Sequence, residues 1–243
     1  MQEGALLARE KQIDFILAVG GGSVIDCCKI VSAQTKLDAD IWDYEYAEHK
    51  LPTQFIPMGA VVTAFGTGAE MNNGAVITNT DKMLKSALWG AFYDFAILDP
   101  AYTMTMPLKQ VISGAFDSLS HSMETYLGSP RTVNLSDEIN EATQRNIIRN
   151  IRATLKHRED LRARSELVWA AAMAENGILK IGKVTEFPVP HAGTPTGRLH
   201  RLQPRPGIGG AASGLVPALS AGGRATVRPA GHGGLGRRSR GEI

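Results

Sequence analysis

The sequence predicts an α/β fold: an incomplete doubly wound domain over residues 1–106, part of an all-helical domain over 107–187 and a disordered tail over 188–243. Three observations support this. An apolar run, 15–19, ends at three glycines and precedes helix-like apolar spacing, which is typical of a strand buried on both faces in a parallel sheet. Strand and helix patterns alternate to about residue 106, after which helix patterns alone follow. Residues 188–243 contain 13 Gly, 7 Pro and no aromatic side chain with which to build a core.

Composition excludes several classes of protein. A hydrophobic fraction of 43% and a charged fraction of 21% are ordinary for a globular chain of 243 residues. No apolar run is long enough to span a bilayer, and the first residues lack the apolar core of a signal peptide. The two cysteines, Cys27 and Cys28, are adjacent, which excludes a disulfide framework and predicts a reducing, cytoplasmic location.

The net charge of +2 hides an uneven distribution. Residues 1–187 carry 18 basic and 23 acidic side chains, whereas 188–243 carry eight arginines and one acid, Glu242. Two parts this different were not shaped by the same constraints. The arginines at 237–240 alone do not indicate nucleic-acid binding, because isolated charge clusters are usually solvated, so neither nucleic acid nor a membrane is expected as a partner.

The glycine turn is the first candidate site. Gly20, Gly21 and Gly22 follow the strand, and Ser23 lies near the N-cap of the helix that continues through Ala33. The N-terminus of a helix offers free N–H groups and a positive dipole end, so such a turn can bind an anion such as a pyrophosphate. A purely structural turn is the alternative.

The elements around this turn follow from periodicity and turn residues. Residues 3–12 predict a helix that leads into the first strand. Residues 38–50 are polar and irregular, with Trp42 and Tyr44 as packing anchors. Further strands are predicted over 55–58, 61–63, 75–77 and 96–98, and Lys82 and Lys85 are placed in a polar turn.

The helical part contains the second candidate site. Apolar spacing predicts helices over 107–126, 136–155 and 161–175, with 176–177 as the last C-cap. Asp117 and His121 are four residues apart, so both side chains leave one face of the first helix and can chelate Fe(II) or Zn(II). The alternative is an ordinary pair on a helix surface.

Three segments together resemble the iron-containing (group III) alcohol dehydrogenases, of the butanol- or aldehyde-reducing type. They are G-G-G-S-x-x-D over 20–26, T-x-x-x-T-G-A-E-x-N over 63–72 and G-x-x-D-x-x-x-H-x-x-E-x-Y over 114–126. The resemblance extends over residues 1–187. The wording around Asp117 favours this family over zinc-dependent relatives such as glycerol dehydrogenases.

The resemblance implies a Rossmann-like, NAD- or NADP-dependent oxidoreductase that moves a hydride between the nicotinamide and a primary alcohol or aldehyde, with Fe(II), or alternatively Zn, as a Lewis acid. It implies a homodimer in the intact family. It assigns Asp117 and His121 as metal ligands and the following residues to cofactor binding: Gly20, Gly21, Gly22, Ser23, Asp26, Thr63, Thr67, Asn72 and Lys85. The choice between NAD and NADP and the substrate's chain length are not predicted.

The resemblance ends after Phe187, where the family would supply two more histidine ligands, and a segment that precedes the first helix in the family is missing. Synonymous codons for 187–208, with one nucleotide deleted, can be written to spell the missing H-x-x-x-H and N-H-G segment. We therefore expect a chain truncated at its N-terminus and frame-shifted after Phe187, in which His191, His200 and His232 are not ligands. The second hypothesis is accordingly an inactive fragment that lacks two metal-ligand histidines.

Overall fold

A computed structural model describes residues 1–129 and 134–184. Its regular elements, in chain order, are α1 Gln2–Glu10, β1 Ile16–Gly20, α2 Gly22–Thr35, β2 Met58–Val62, β3 Gly74–Asn79, β4 Leu84–Trp89, β5 Phe95–Ile97, α3 Leu108–Tyr126, α4 Leu135–Lys156 and α5 Leu161–Glu175. Short single turns of helix lie at Asp43–Ala47, Ala69–Met71, Pro100–Thr103 and Ile178–Lys180. The predicted disordered tail lies outside the described residues.

The predicted parallel sheet is present, with strand order β1-β2-β5. Ile16 lies opposite Met58 and Gly20 opposite Val62, so β1 and β2 end at the same edge. The segments predicted as strands over 55–58 and 61–63 are replaced by one strand, β2. It begins directly after Pro57, because a proline has no N–H group to donate to a neighbouring strand. The glycine turn after β1 and the loop after β2 consequently start side by side, which is where ligands bind in open α/β sheets.

The two faces of this sheet differ. Ala18 and Val62 pack beneath Ile25 of α2 in one small core. On the other face Leu17 and Val19 are 52% and 56% exposed. Burial of the first strand on both faces was therefore a wrong expectation for the described residues: the strand alternates, with one side chain in the core and the next in solvent.

An antiparallel hairpin, β3 and β4, stands beside the parallel sheet, with Thr78 opposite Lys85. The polar turn predicted for Lys82 and Lys85 is only partly correct, because Lys85 lies on β4. The interpretation of 38–50 also changes: Trp42 is buried, but its ring stacks on Tyr46 at 5.2 Å, and Tyr44 is only half-buried.

Helices α3, α4 and α5 pack on one another around a core that includes Val111, Ile147 and Leu167. The side chains of Asn134 and Asp160 cap α4 and α5 by accepting hydrogen bonds from backbone N–H groups. This part matches the predicted all-helical unit, while the domain boundaries at 106 and 187 stay predictions. In the part of the chain that the structure describes, no helix has the length and apolar character needed to cross a membrane.

Candidate functional site

The turn between β1 and α2 has the geometry of an anion-binding turn. Gly21, in an extended conformation, is the N-cap of α2, and Ser23 lies inside the first turn of the helix. A helix cannot bond its own first N–H groups, so those of Gly22 and Ser23 belong to the set available to a ligand. No side chain of a described residue caps this end of the helix.

The loop after β2 lies directly against this turn. The N–H of Thr63 donates to the carbonyl of Gly20 at 3.0 Å, which continues the strand pairing by one residue. A Cβ added to Gly22 would lie 2.6 Å from the hydroxyl oxygen of Thr67. The absence of a side chain at Gly22 therefore brings the Thr67 hydroxyl to the first turn of α2.

Asp26 lies one turn further along α2. Its Oδ2 accepts a hydrogen bond from the N–H of Val76 at 3.0 Å, whereas its Oδ1 is buried and has no hydrogen-bond partner among the described residues. Burial raises the pKa of this carboxyl, and the Val76 N–H and the charges of Lys29 and Lys85 oppose that rise. The free, buried oxygen is suited to a donor supplied by a ligand.

Asn72 is bonded within its own loop. Its amide nitrogen donates to the carbonyl of Gly68 at 3.2 Å, and its side-chain oxygen accepts from the N–H of Gly74 at 3.0 Å. The sequence analysis gave Asn72 a direct contact with the cofactor. That contact stays a prediction, but these bonds give Asn72 a clear role in shaping the loop.

Lys29 is a residue that the sequence analysis missed. It is 1% exposed, and its ammonium donates to the carbonyls of Ala69, Asn72 and Gly74 and to the side-chain oxygen of Asn72, at 2.6–3.1 Å. Burial lowers its pKa from 10.5 to about 8. This one side chain fixes the loop over residues 69–74 to α2. The available signal in the sequence was its spacing, because Lys29 lies four residues after Ile25 and four before Ala33 and so shares their face of the helix.

Asp117 and His121 lie on one face of α3, as predicted, with 3.8 Å between Oδ1 of Asp117 and Nε2 of His121. The other imidazole nitrogen, Nδ1, lies 3.2 Å from Oε1 of Glu175 on α5. Glu175 is itself paired with Lys180 at 3.0 Å. Glu175 was not among the predicted site residues. Its carboxylate lies beside the His121 ring, but neither Nδ1 of His121 nor Oε1 of Glu175 has a hydrogen-bond partner among the described residues, so the pair is a close approach without an orienting hydrogen bond.

Asp117 and His121 together offer two donor atoms of the kind that binds metal ions. A carboxylate oxygen and an imidazole nitrogen suit Fe(II) or Zn(II). Across residues 1–129 and 134–184, however, no three His, Cys, Asp or Glu side chains are placed to hold an ion together. Burial raises the pKa of Asp117, and neighbouring His121 and Lys85 lower it. The described donors therefore fit two coordination positions, and further ligands have to come from elsewhere.

The glycine turn and the metal pair are brought together by two glycines. Gly114 of α3 packs on the loop after β2 so closely that an added Cβ would lie 2.3 Å from the carbonyl oxygen of Phe65. Gly66, with φ of +146°, lies against the Gly114 backbone, and its carbonyl accepts from the Ser118 hydroxyl at 3.2 Å. A Cβ at Gly66 would also come within 3.4 Å of Oδ2 of Asp117. The loop after β2 therefore contacts α3 close to Asp117.

Lys85 also belongs to this neighbourhood. Its charge lowers the pKa of both Asp26 and Asp117, against the larger effect of burial on each carboxyl. A single exposed ammonium on β4 therefore acts on the acid of the glycine-turn segment and on the acid of the metal pair. Of the predicted cofactor residues, the structure groups Gly20–Ser23, Thr63 and Thr67 at the turn, with Lys85 in electrostatic range.

Two family models match the chain. The model of iron-containing alcohol dehydrogenases matches residues 1–100, and that of the C-terminal part of the Fe-containing alcohol dehydrogenase family matches residues 111–192. Between them they account for well over half of the chain, and the second match ends a few positions beyond Phe187.

Individual proteins show the same similarity. NADH-dependent butanol dehydrogenase B of Clostridium acetobutylicum is 36% identical over 191 residues, which is 78% of this chain and 49% of that protein. The NADPH-dependent aldehyde reductase YqhD of Escherichia coli is 37% identical over 72% of this chain and 46% of its own length. The crystal structure of NADH-dependent butanol dehydrogenase A from Thermotoga maritima superposes with a TM-score of 0.72 at 33% identity, covering 75% of this chain and 46% of that one. The chain spans about half the length of the curated relatives it matches.

Proposed function

The chain belongs to the iron-containing alcohol dehydrogenase family, and from this premise we propose that it derives from an NAD(P)-dependent oxidoreductase acting on a primary alcohol or aldehyde. The observation that carries the proposal is the contact of Gly66 with Gly114, because the loop after β2, which lies against the glycine turn, there meets the helix that carries Asp117 and His121. A nicotinamide cofactor and a metal-bound substrate need that adjacency to react.

Within this proposal, the N–H groups at Gly22 and Ser23 hold the diphosphate, and the hydroxyls of Thr63 and Thr67 hydrogen-bond the phosphates or the nicotinamide ribose. Oδ1 of Asp26 accepts a hydrogen bond from a cofactor hydroxyl. This assignment is supported by the free, buried state of that oxygen.

On α3, Asp117 and His121 hold two positions of a divalent ion, for which we propose Fe(II), with Zn(II) as the alternative. When bound, the ion supplies a Lewis acid for the alcohol or aldehyde oxygen, and the nicotinamide exchanges the hydride. Glu175, whose Oε1 lies 3.2 Å from Nδ1 of His121, adds negative charge beside this pair. Lys85 contributes positive charge near Asp26 and Asp117, and we assign it to the cofactor ribose.

A second candidate function is that of an inactive fragment of such an enzyme, lacking two metal-ligand histidines. The observation in its favour is that the described residues provide two metal ligands and no third. Under this alternative the protein binds the dinucleotide but retains the metal weakly and does not turn over.

Titration of the purified full chain with NADH, followed by assays for alcohol-dependent reduction of NAD and NADP after reconstitution with Fe(II) or Zn(II), separates the two. Turnover that is lost on Asp117→Asn supports the enzyme. Saturable NADH binding without turnover supports the fragment. If neither NADH nor, in a matched titration, NADPH binds, the glycine turn is not a dinucleotide site and both the enzyme and the fragment hypotheses are wrong on this point.

Cellular setting and assembly are also proposals. Cys27 and Cys28 are both free thiols in the structure, which supports a reducing, cytoplasmic location. We further propose a homodimer, and sedimentation of the purified chain tests it. Nucleotide sequencing of the gene tests the frame-shift hypothesis: codons that cannot yield the H-x-x-x-H segment after one deletion would rule it out.

A further inference from the structure

A cavity is lined by residues other than those of the glycine turn and the Asp117–His121 pair. It has a volume of about 370 Å³ and is formed by the short helix Asp43–Ala47, the residues after it and strand β4. Its lining includes Glu45, Tyr46, His49, Leu51, Ser86 and Trp89. None of these residues is part of the candidate site described above, and a volume of this size is typical of sites for small molecules.

Glu45 is the polar group of this cavity. It is 8% exposed, and its Oε2 accepts a hydrogen bond from the backbone N–H of Trp89 at 2.7 Å. The other carboxylate oxygen, Oε1, is buried and has no hydrogen-bond partner among the residues that the structure describes. A buried carboxylate oxygen without a donor is costly, so its presence beside a cavity needs an explanation.

The remaining lining specifies the kind of donor that fits. The Trp89 and Tyr46 rings offer aromatic surface, and the Trp89 side chain is about half exposed. None of the described residues around the cavity is a lysine or an arginine that would neutralise Glu45 from within. A carboxylate together with aromatic rings is the arrangement that recognises organic ammonium ions, through an ion pair and cation–π attraction.

The fold holds these groups in place. Asp43–Ala47 is a turn of π-helix, a rare geometry that occurs often at functional sites. Tyr46 is stacked on the buried ring of Trp42 at 5.2 Å, and Glu45 is tied to β4 by its bond to Trp89. At the rim, His49 has a positive φ of 55°, an uncommon conformation for a residue other than glycine.

We propose that this cavity binds an organic ammonium ion with an apolar body, whose N–H groups donate to Oε1 of Glu45 and whose body lies against Trp89 and Tyr46. The site is independent of the dehydrogenase chemistry proposed above. Burial raises the pKa of Glu45 from 4.5 to about 7, so the ionised form that binds the cation predominates on the alkaline side of neutrality.

Calorimetric titration of the full chain with phenethylammonium tests the proposal, at about pH 8.5, where an amine with the pKa of a lysine, about 10, remains charged. The neutral comparison is 2-phenylethanol. We expect saturable 1:1 binding of the ammonium ion and an affinity at least tenfold lower for the alcohol. We expect Glu45→Gln to reduce ammonium affinity at least tenfold, since Gln keeps an acceptor for the Trp89 N–H but loses the charge.

Asp43→Asn is the matched control. Asp43 lies on the same short helix and is paired with Lys82 at the surface, but it does not line the cavity, so this substitution removes the same charge without touching the site. Its ammonium affinity should stay within twofold of the unsubstituted chain. Absence of saturable binding, equal binding of the alcohol, or a Glu45→Gln protein that binds as tightly as the unsubstituted chain would each overturn the proposal. Circular dichroism of each variant verifies that it is folded.

Discussion

Gly114→Ala tests the close contact between the loop after β2 and helix α3. The new Cβ would lie 2.3 Å from the carbonyl oxygen of Phe65, whereas C···O contacts normally begin at about 3.3 Å. The obstacle is backbone, so no side-chain rotation relieves it. Helix α3 therefore has to move about 1 Å away from the loop, by the same comparison of contact distances.

Three contributions determine the change in the free energy of unfolding. Overpacking of this kind costs about 1–3 kcal/mol, and the hydrogen bond from Ser118 to the carbonyl of Gly66 contributes about 1 kcal/mol. Alanine's higher helix propensity offsets about 1 kcal/mol. The net destabilisation is about 1–3 kcal/mol, which for a chain of this size lowers Tm by about 2–12 °C.

Thermal unfolding followed by circular dichroism measures this shift, with Gly4→Ala as the control. Gly4 lies in helix α1, where the same substitution also raises helix propensity, and its nearest neighbour is a Val31 methyl at 3.1 Å, so a shift of a few tenths of an ångström relieves the contact. Gly4→Ala should leave Tm unchanged or slightly raised. If Gly114→Ala is as stable as Gly4→Ala, the close approach of the two segments is not a real constraint and the argument for adjoining sites fails.

Three further predictions concern charged groups in the core and the site. Asp26→Asn keeps an acceptor for the Val76 N–H but removes the charge, so NADH affinity measured by fluorescence should fall about tenfold, or 1.4 kcal/mol, with unfolding unchanged. Lys29→Met leaves the carbonyl oxygens of the loop over 69–74 without their donor, so the free energy of unfolding measured in urea should fall by about 2–4 kcal/mol. The control Lys36→Met, at an exposed position, should leave that free energy almost unchanged. Because burial raises the pKa of Glu45 from 4.5 to about 7, its contribution to stability is complete below pH 4.5 and is lost as pH rises through about 7. Glu45→Gln should remove only this carboxyl's share of the pH dependence, since burial also raises the pKa of Asp26 and Asp117. A pH dependence equal to that of the unsubstituted chain would contradict the assignment.

Periodicity predicted the regular elements well where one signal dominated. An apolar run ended by glycines marked β1, and apolar spacing together with Glu175 and the following Asn-Gly marked α5 within its true bounds. Of the β3–β4 hairpin, only β3 was predicted as a strand. Lys82 and Lys85 suggested a turn because lysine favours solvent, but an edge strand tolerates a lysine on its exposed side, as Lys85 shows.

Within the candidate site, the sequence predicted correctly those features that depend only on residues close together in the chain. Asp117 and His121 share a helix face because they are four residues apart, and the glycine turn lies where strand and helix meet. The partners supplied by distant segments could not be predicted this way. Glu175 approaches His121 from another helix, and the bonds of Lys29 reach a loop some 40 residues further along the chain. Only tertiary packing brings those groups together.

The ammonium of Lys29 has a consequence for motion in the loop that it anchors. Opening of residues 69–74 would return this group to water, where its pKa is near 10.5, from a setting where it is about 8. Between these two values the open loop holds a proton that the closed loop lacks, so opening takes up a proton and the closed form loses stability as pH falls from about 10.5 to about 8. After correction for intrinsic exchange rates, backbone amides of this loop should lose protection from deuterium exchange together as pH falls across that interval, and the protection should level off below about 8. The loop next to the proposed dinucleotide site would then respond to protons through a buried side chain to which the proposal gives no contact with the cofactor.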